Sequence, residues 1–88
     1  MKHRYLEITF RKGKPLAAYL HLPRPPGVKA ARTSDVGHGL RLDFDIEGKP
    51  MGVEITAPGI VTMAQLNAVL APLGVDRVEP EEWAPLAA

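Results

Sequence analysis

The sequence predicts an α+β domain: an antiparallel β-meander of four to five strands with one C-terminal helix packed on a sheet face. Three observations predict it. Apolar and polar residues alternate over 4–10, 16–22 and 40–55, the period of a half-buried strand. Glycine and proline clusters at 13–15, 23–27 and 58–59 punctuate those runs. Apolar residues at helical spacing follow Thr62.

The first strand covers 4–10, with Leu6, Ile8 and Phe10 facing inward and Tyr5, Glu7 and Thr9 outward. Arg11-Lys12-Gly13-Lys14-Pro15 is a polar turn. Alternation then resumes, with Leu16, Ala18, Leu20 and Leu22 inward and Ala17, Tyr19 and His21 outward, so the two runs form a hairpin. Pro23, Pro25 and Pro26 withhold ladder donors, which makes 23–27 an exposed loop. A short strand is expected over 28–33. A turn is expected over 34–39, with Gly37 and Gly39 as its breakers.

The run from Leu40 to Ile55 carries its own register. With Glu47-Gly48 as turn centre, Phe44 faces Met51, Leu42 faces Val53, Leu40 faces Ile55, and Arg41 lies opposite Glu54. A slip of two would oppose Asp43 and Glu54, a like-charge pair. A longer loop stays open. Thr56-Ala57-Pro58-Gly59 ends the sheet. Thr62 and Gln65 form a capping box, and Met63, Leu66, Val69 and Leu70 form an apolar stripe. Pro72 and Gly74 stop the helix, giving it the span 62–73. Pro80 opens a last short turn over 80–84, and Trp83 and Leu86 tuck the 75–88 tail against the body. The whole is one domain, 1–88, with a β-rich core over 4–57.

A chain of 88 residues buries only roughly 60–65% of the surface it exposes when unfolded. Its core is thin, and association with a second copy would help it. Eleven basic and ten acidic residues leave a net charge of +1, too little to draw a phosphate backbone or anionic lipid from a distance. Few aromatics interleave with the basic residues of the first 32 positions, which argues against nucleic acid. No stretch approaches the ~20 apolar residues of a membrane span. No apolar run follows the basic start, so no secretory signal is read there. There is no cysteine, which excludes disulfides and thiolate chemistry and fits a reducing compartment. The expected location is cytoplasmic.

Acids at 43, 45, 47 and 54 with Gly48 approximate the spacing of a calcium loop. Both flanks alternate with period two, however, where that loop needs helices. The first reading is an acidic hairpin. The second is a small-ligand or cation-binding module using Asp43, Asp45 and Glu54. His3, His21 and His38 form no metal-ligand spacing. A pair of His21 or His38 with Asp43 is the third reading, an enzyme. No nucleophile elbow, oxyanion device or cofactor loop accompanies that pair. The expectation is no enzyme, no cofactor and no resident metal.

A resemblance rests on Ala18-Tyr19-Leu20-His21-Leu22, Ala31-Arg32-Thr33, Leu42-Asp43-Phe44-Asp45, the Gly48-Lys49-Pro50 turn and Gly52-Val53-Glu54-Ile55. Over residues 4–57 the chain resembles the "domain of unknown function 2283" family of small bacterial and archaeal proteins. Residues 61–74 look like the C-terminal extension of its longer members. The resemblance implies a small β-rich domain, an antitoxin-like role beside a small toxin, and no catalytic residues. Arg32 and Asp43 match family-typical positions, whereas the proline-rich loop 23–26 is longer than the family's tight link. The chain is therefore expected to be a non-enzymatic interaction protein that binds itself, as a homodimer or higher oligomer, and a small partner protein. Binding would use an exposed edge strand or the outer face of Tyr5, Tyr19 and His21. The expected binding residues are Tyr19, His21, Arg32, Asp43, Asp45 and Glu54.

Overall fold

A computed structural model describes residues 3–87; residues 1, 2 and 88 of the expected domain lie outside it. Five strands form one sheet: β1 (Tyr5–Arg11), β2 (Lys14–His21), β3 (Arg32–Gly37), β4 (Leu40–Phe44) and β5 (Pro50–Ile55). Two helices follow, α1 (Met63–Leu70), continued by a 3-10 turn over Ala71–Leu73, and α2 (Pro80–Ala87). The tail thus holds a second helix where the sequence indicates a single turn. All strand pairs are antiparallel, in the order β1-β2-β5-β4-β3. That order departs from a simple meander. The proline-bearing segment after His21 cannot join a ladder, and it carries the chain to the far edge. β3, β4 and β5 then return toward β2, which leaves β5 at the centre with Val53 and Ile55 fully buried.

One sheet face carries the core. Ala18, Leu20, Leu22, Leu40, Leu42, Val53 and Ile55 meet Val61, Leu66, Leu70, Val78 and Leu86 from the helical layer. Leu6 and Ile8 line its rim. Phe10 and Leu16 do not join it; they are 55% and 51% exposed. Thr9 faces Ala17 but Phe10 faces Pro15, so Leu16 is an extra residue in β2. β2 meets β5 only from Ala18 onward. Beyond that point the hairpin has no third strand, and its tip overhangs the core. Lys12 and Gly13 close it with positive φ at both positions, the geometry of a two-residue hairpin turn.

The β4–β5 register holds for Leu40 with Ile55, Arg41 with Glu54 and Leu42 with Val53. Phe44, however, pairs with Pro50 and not with Met51. The cause is Asp45, whose Oδ1 accepts the amides of Glu47 at 2.8 Å and Lys49 at 2.9 Å. This Asx-type loop spans 45–49 and shifts the pairing by one residue.

β3 also lies later than expected. Ser34–Gly37 is strand and not turn, 28–31 precedes the strand, and the turn narrows to His38-Gly39. Thr33, Ser34 and Asp35 are polar on both faces of an edge strand, so no apolar alternation reports it.

The helix follows the sequence closely. Thr62 Oγ1 accepts the Gln65 amide at 3.1 Å, and Gln65 Oε1 accepts the Thr62 amide at 3.0 Å. Gly74, at φ 71, ends the 3-10 turn. Asn67 brackets Val78 with two hydrogen bonds, at 2.7 and 3.1 Å, and thereby pulls the tail in. Arg4 holds α2 through both Glu82 carboxylate oxygens, at 2.9 and 3.0 Å, and holds the segment before it through the carbonyls of Asp76 and Arg77. Leu86 is buried and Trp83 half-buried against the core, as the tail pattern requires. Thr62→Ala should cost about 1 kcal/mol, seen as a lower urea midpoint with an unchanged slope. No helix among the described residues is long and apolar enough to cross a membrane.

Candidate functional site

Directly paired residues of an antiparallel sheet point to the same side. The pairings therefore define two rows on the face opposite the core. One runs Tyr5, His21, Gly52, Asp43, Thr33; the other runs Glu7, Tyr19, Glu54, Arg41, Asp35. The helices pack on the other face. Tyr5, Glu7, Thr33, Asp35 and Arg41 are exposed.

Tyr19 is fixed by a missing side chain. Its ring lies across β5 at Gly52, where a Cβ would stand 2.2 Å from Tyr19 Cε1. Only glycine leaves that passage open. Having crossed, the Tyr19 hydroxyl donates to Asp43 Oδ2 at 2.6 Å. Asp43 Oδ1 accepts from Thr33 Oγ1 at 2.5 Å. Side chains of β2, β4 and β3 are thus tied together above the central strand.

Burial pushes the Tyr19 hydroxyl well above the ordinary tyrosine value of 10.0, and its bond to the Asp43 carboxylate adds to the rise. In the unfolded chain Tyr19 ionises near that ordinary value, while the folded protein keeps its proton. This contribution to stability is complete below pH 10 and is lost as pH rises further. Alkaline unfolding should therefore begin above the ordinary value, and Tyr19→Phe should flatten that decline. Denaturant midpoints measured through the alkaline range check this. An equal decline in both proteins would contradict it.

His21 stands in a second cluster. Its ring stacks on Tyr5 at 4.4 Å between centroids and 13° between planes, and tilts against Tyr19 at 4.6 Å. Arg24 Nη2 lies 3.1 Å from His21 Nδ1, and Glu7 Oε1 lies 2.8 Å from Nε2. A guanidinium only donates, so the network assigns Nδ1 as acceptor and directs the Nε2 proton to Glu7. Arg24 itself comes from the proline-rich loop and is anchored to the Met51 carbonyl at 2.8 Å.

Of the six expected binding residues, the structure brings Tyr19, His21, Asp43 and Glu54 to this face. It does not bring the other two. Arg32 pairs with Phe44 on the opposite face, 4.1 Å above that ring, and donates to Ser34 Oγ at 3.1 Å. Asp45 is turned into its own loop. Neither His21 nor His38 hydrogen-bonds Asp43; His38 Nδ1 lies 3.1 Å from Gln65 Nε2. Among the described residues no three His, Asp or Glu side chains gather as a metal-holding group.

Sequence reasoning passed over Gly52, Arg24, Thr33 and Glu7. A glycine inside an otherwise apolar strand is a sign of close approach, and it could have exposed Gly52. Nothing local reports Arg24. Glu7, Asp35, Asp43 and Glu54 share this face with Arg11, Lys14 and Arg41, and Arg24 reaches it at His21, so carboxylates and cations alternate across it. A depression of about 230 Å³ lies between Glu7, Thr9, Ala17, Tyr19 and Glu54. A larger apolar groove of about 480 Å³, on the helical side, is lined by Val36, Leu42, Val69 and Leu73. The open face offers fixed aromatic planes and carboxylate acceptors. It suits recognition of a positively charged group.

Comparison of the chain with protein-family models, with curated proteins and with solved structures finds no match.

Proposed function

We propose that the chain is a non-enzymatic interaction protein whose open sheet face receives a cationic segment of a small partner protein, in the manner of an antitoxin neutralising a toxin. One observation carries the reading: Tyr19 is locked across Gly52 onto Asp43, beside the Tyr5–His21 stack and among carboxylates. Side chains already held in place lose little freedom on binding, and preorganisation converts directly into affinity. Lysine or arginine side chains from the partner would meet Glu7 and Glu54 and lie over the tyrosine rings. The resemblance to the "domain of unknown function 2283" family, for which an antitoxin-like role is an expectation, points the same way. The chain also presents sheet edges to a second copy. Its lack of cysteine suits the cytoplasm.

The test uses two immobilised baits in an extract of the native cell, the wild-type chain and a Glu7→Gln/Glu54→Gln variant. Proteins held by the wild type and lost from the variant should be basic and should elute with salt. Identical retention on both baits, or selective loss of acidic proteins, would overturn the reading.

A further inference from the structure

We infer that β1 is a homodimerisation edge, pairing antiparallel with β1 of a second copy about a two-fold axis at Ile8. This deepens the proposed function by naming a second copy as the occupant of one edge.

The sheet has two free edges among the described residues, β1 and β3. β3 is guarded. It is polar through Arg32, Thr33, Ser34 and Asp35, and its pairing is irregular between Asp35 and Gly37, both devices that discourage strand addition. β1 carries its polar residues, Glu7, Thr9 and Arg11, on the open side only, and its core side is apolar throughout. It contains no proline, and the irregularity of its hairpin falls on Leu16 of β2. Leu6 and Ile8 remain half-buried at the core's rim, while Phe10 and Tyr5 are 55% and 50% exposed. An open backbone edge thus coincides with apolar side chains that lack cover.

Self-pairing that keeps both helical layers on one side admits few registers. A centre at Glu7 sets Glu7 against Glu7, a like-charge clash. A centre at Thr9 brings Glu7 to Arg11 but spends Tyr5 and Leu6 on the turn residues Gly13 and Lys12. A centre at Ile8 pairs the whole strand, Tyr5–Arg11. On the core side Ile8 meets Ile8 and each Phe10 meets the other copy's Leu6. On the open side each Tyr5 meets Arg11, a cation over a ring, each Glu7 meets Thr9, and Arg11 reaches Glu7 on the diagonal. Leu6, Ile8 and Phe10 of β1 then each have an apolar partner. The open faces of the two copies become one continuous surface, on which Tyr19 and Glu54 of each copy stay clear of the seam.

The chain has no native cysteine, so single cysteines report the register. Opposed residues of a hydrogen-bonded antiparallel pair lie about 5.5 Å apart at Cα, within disulfide reach. Under mild oxidation Ile8→Cys should cross-link to twice the chain mass, with Glu7→Cys and Thr9→Cys several-fold less efficient. By sedimentation the wild type should show a concentration-dependent dimer. Phe10→Glu, at a residue largely exposed in the single chain, should weaken that dimer by about tenfold or more with unchanged far-ultraviolet circular dichroism. A wild-type chain that stays monomeric at every concentration overturns the inference. So does cross-linking led by Glu7→Cys or Thr9→Cys, or a dimer indifferent to Phe10→Glu. These measurements use the purified chain alone. A monomer whose capture of basic proteins still depends on Glu7 and Glu54 sinks the dimer and leaves the partner reading. A dimer whose capture ignores those carboxylates does the reverse.

Discussion

Gly52→Ala should lower folding stability by about 2–3 kcal/mol and disorder the candidate site, although it adds one methyl group. The new Cβ would stand 2.2 Å from Cε1 and 2.6 Å from Cζ of Tyr19, far inside van der Waals contact. β5 is the central strand and cannot yield, so the ring must leave. The Tyr19–Asp43 hydrogen bond then breaks, and a half-buried hydroxyl and carboxylate each lose a partner. Gly52 does not adopt a left-handed backbone, so alanine brings no strain of its own. With Tyr19→Ala in place, Gly52→Ala should become neutral or mildly stabilising, since alanine suits a strand better than glycine does. A double-mutant cycle measured by denaturant unfolding isolates this coupling. The same cost in both backgrounds would show that the glycine serves something other than the tyrosine.

Leu70→Ala should cost about 3 kcal/mol, within the 2–5 kcal/mol typical of buried leucine truncations. Leu70 is fully buried and, with Leu66, anchors α1 in the core. Asn67 of the same helix holds Val78, so loosening α1 also loosens the tail. Small domains are stable by only about 5–15 kcal/mol, so this one truncation should remove about a fifth to three fifths of the folding stability. Unfolding in urea checks it through the midpoint, with the slope unchanged. Ala68→Gly, on the exposed side of the same helix, should cost no more than about 1 kcal/mol. Equal losses for the two variants would mean that α1 is not seated on the sheet as described.

How much of this could be read in the sequence depended on which side of an element faced the core. β1, β2, β4 and β5 each carry apolar residues on one face, and alternation located all four. β3 is polar on both faces and gave no period. Its position decides which face Arg32 occupies, because a shift of one residue reverses every side chain. For that reason Arg32 lies over Phe44 and not beside Asp43. The parity argument for the β4–β5 pair succeeded up to Asp43. It then failed at Phe44, where Asp45 binds the loop amides and shifts the register. Tyr19, His21, Asp43 and Glu54 were legible as a shared face because parity alone assigns them. Their locking was not, since it depends on a ring crossing a neighbouring strand and on Arg24 reaching back from a loop. The helix start at Thr62 was fully local and was read completely. The length of α2 was not, because Arg4, from the far end of the chain, holds it.

The recognition role of the open face is tested most directly by nuclear magnetic resonance, titrating the labelled chain with the basic protein captured by the wild-type bait. Ring signals of Tyr5, Tyr19 and His21 should shift and broaden, while the methyl signals of Val36, Val69 and Leu73 stay in place. Changes confined to those methyls, with the three rings unmoved, would put the partner on the helical side and contradict the account.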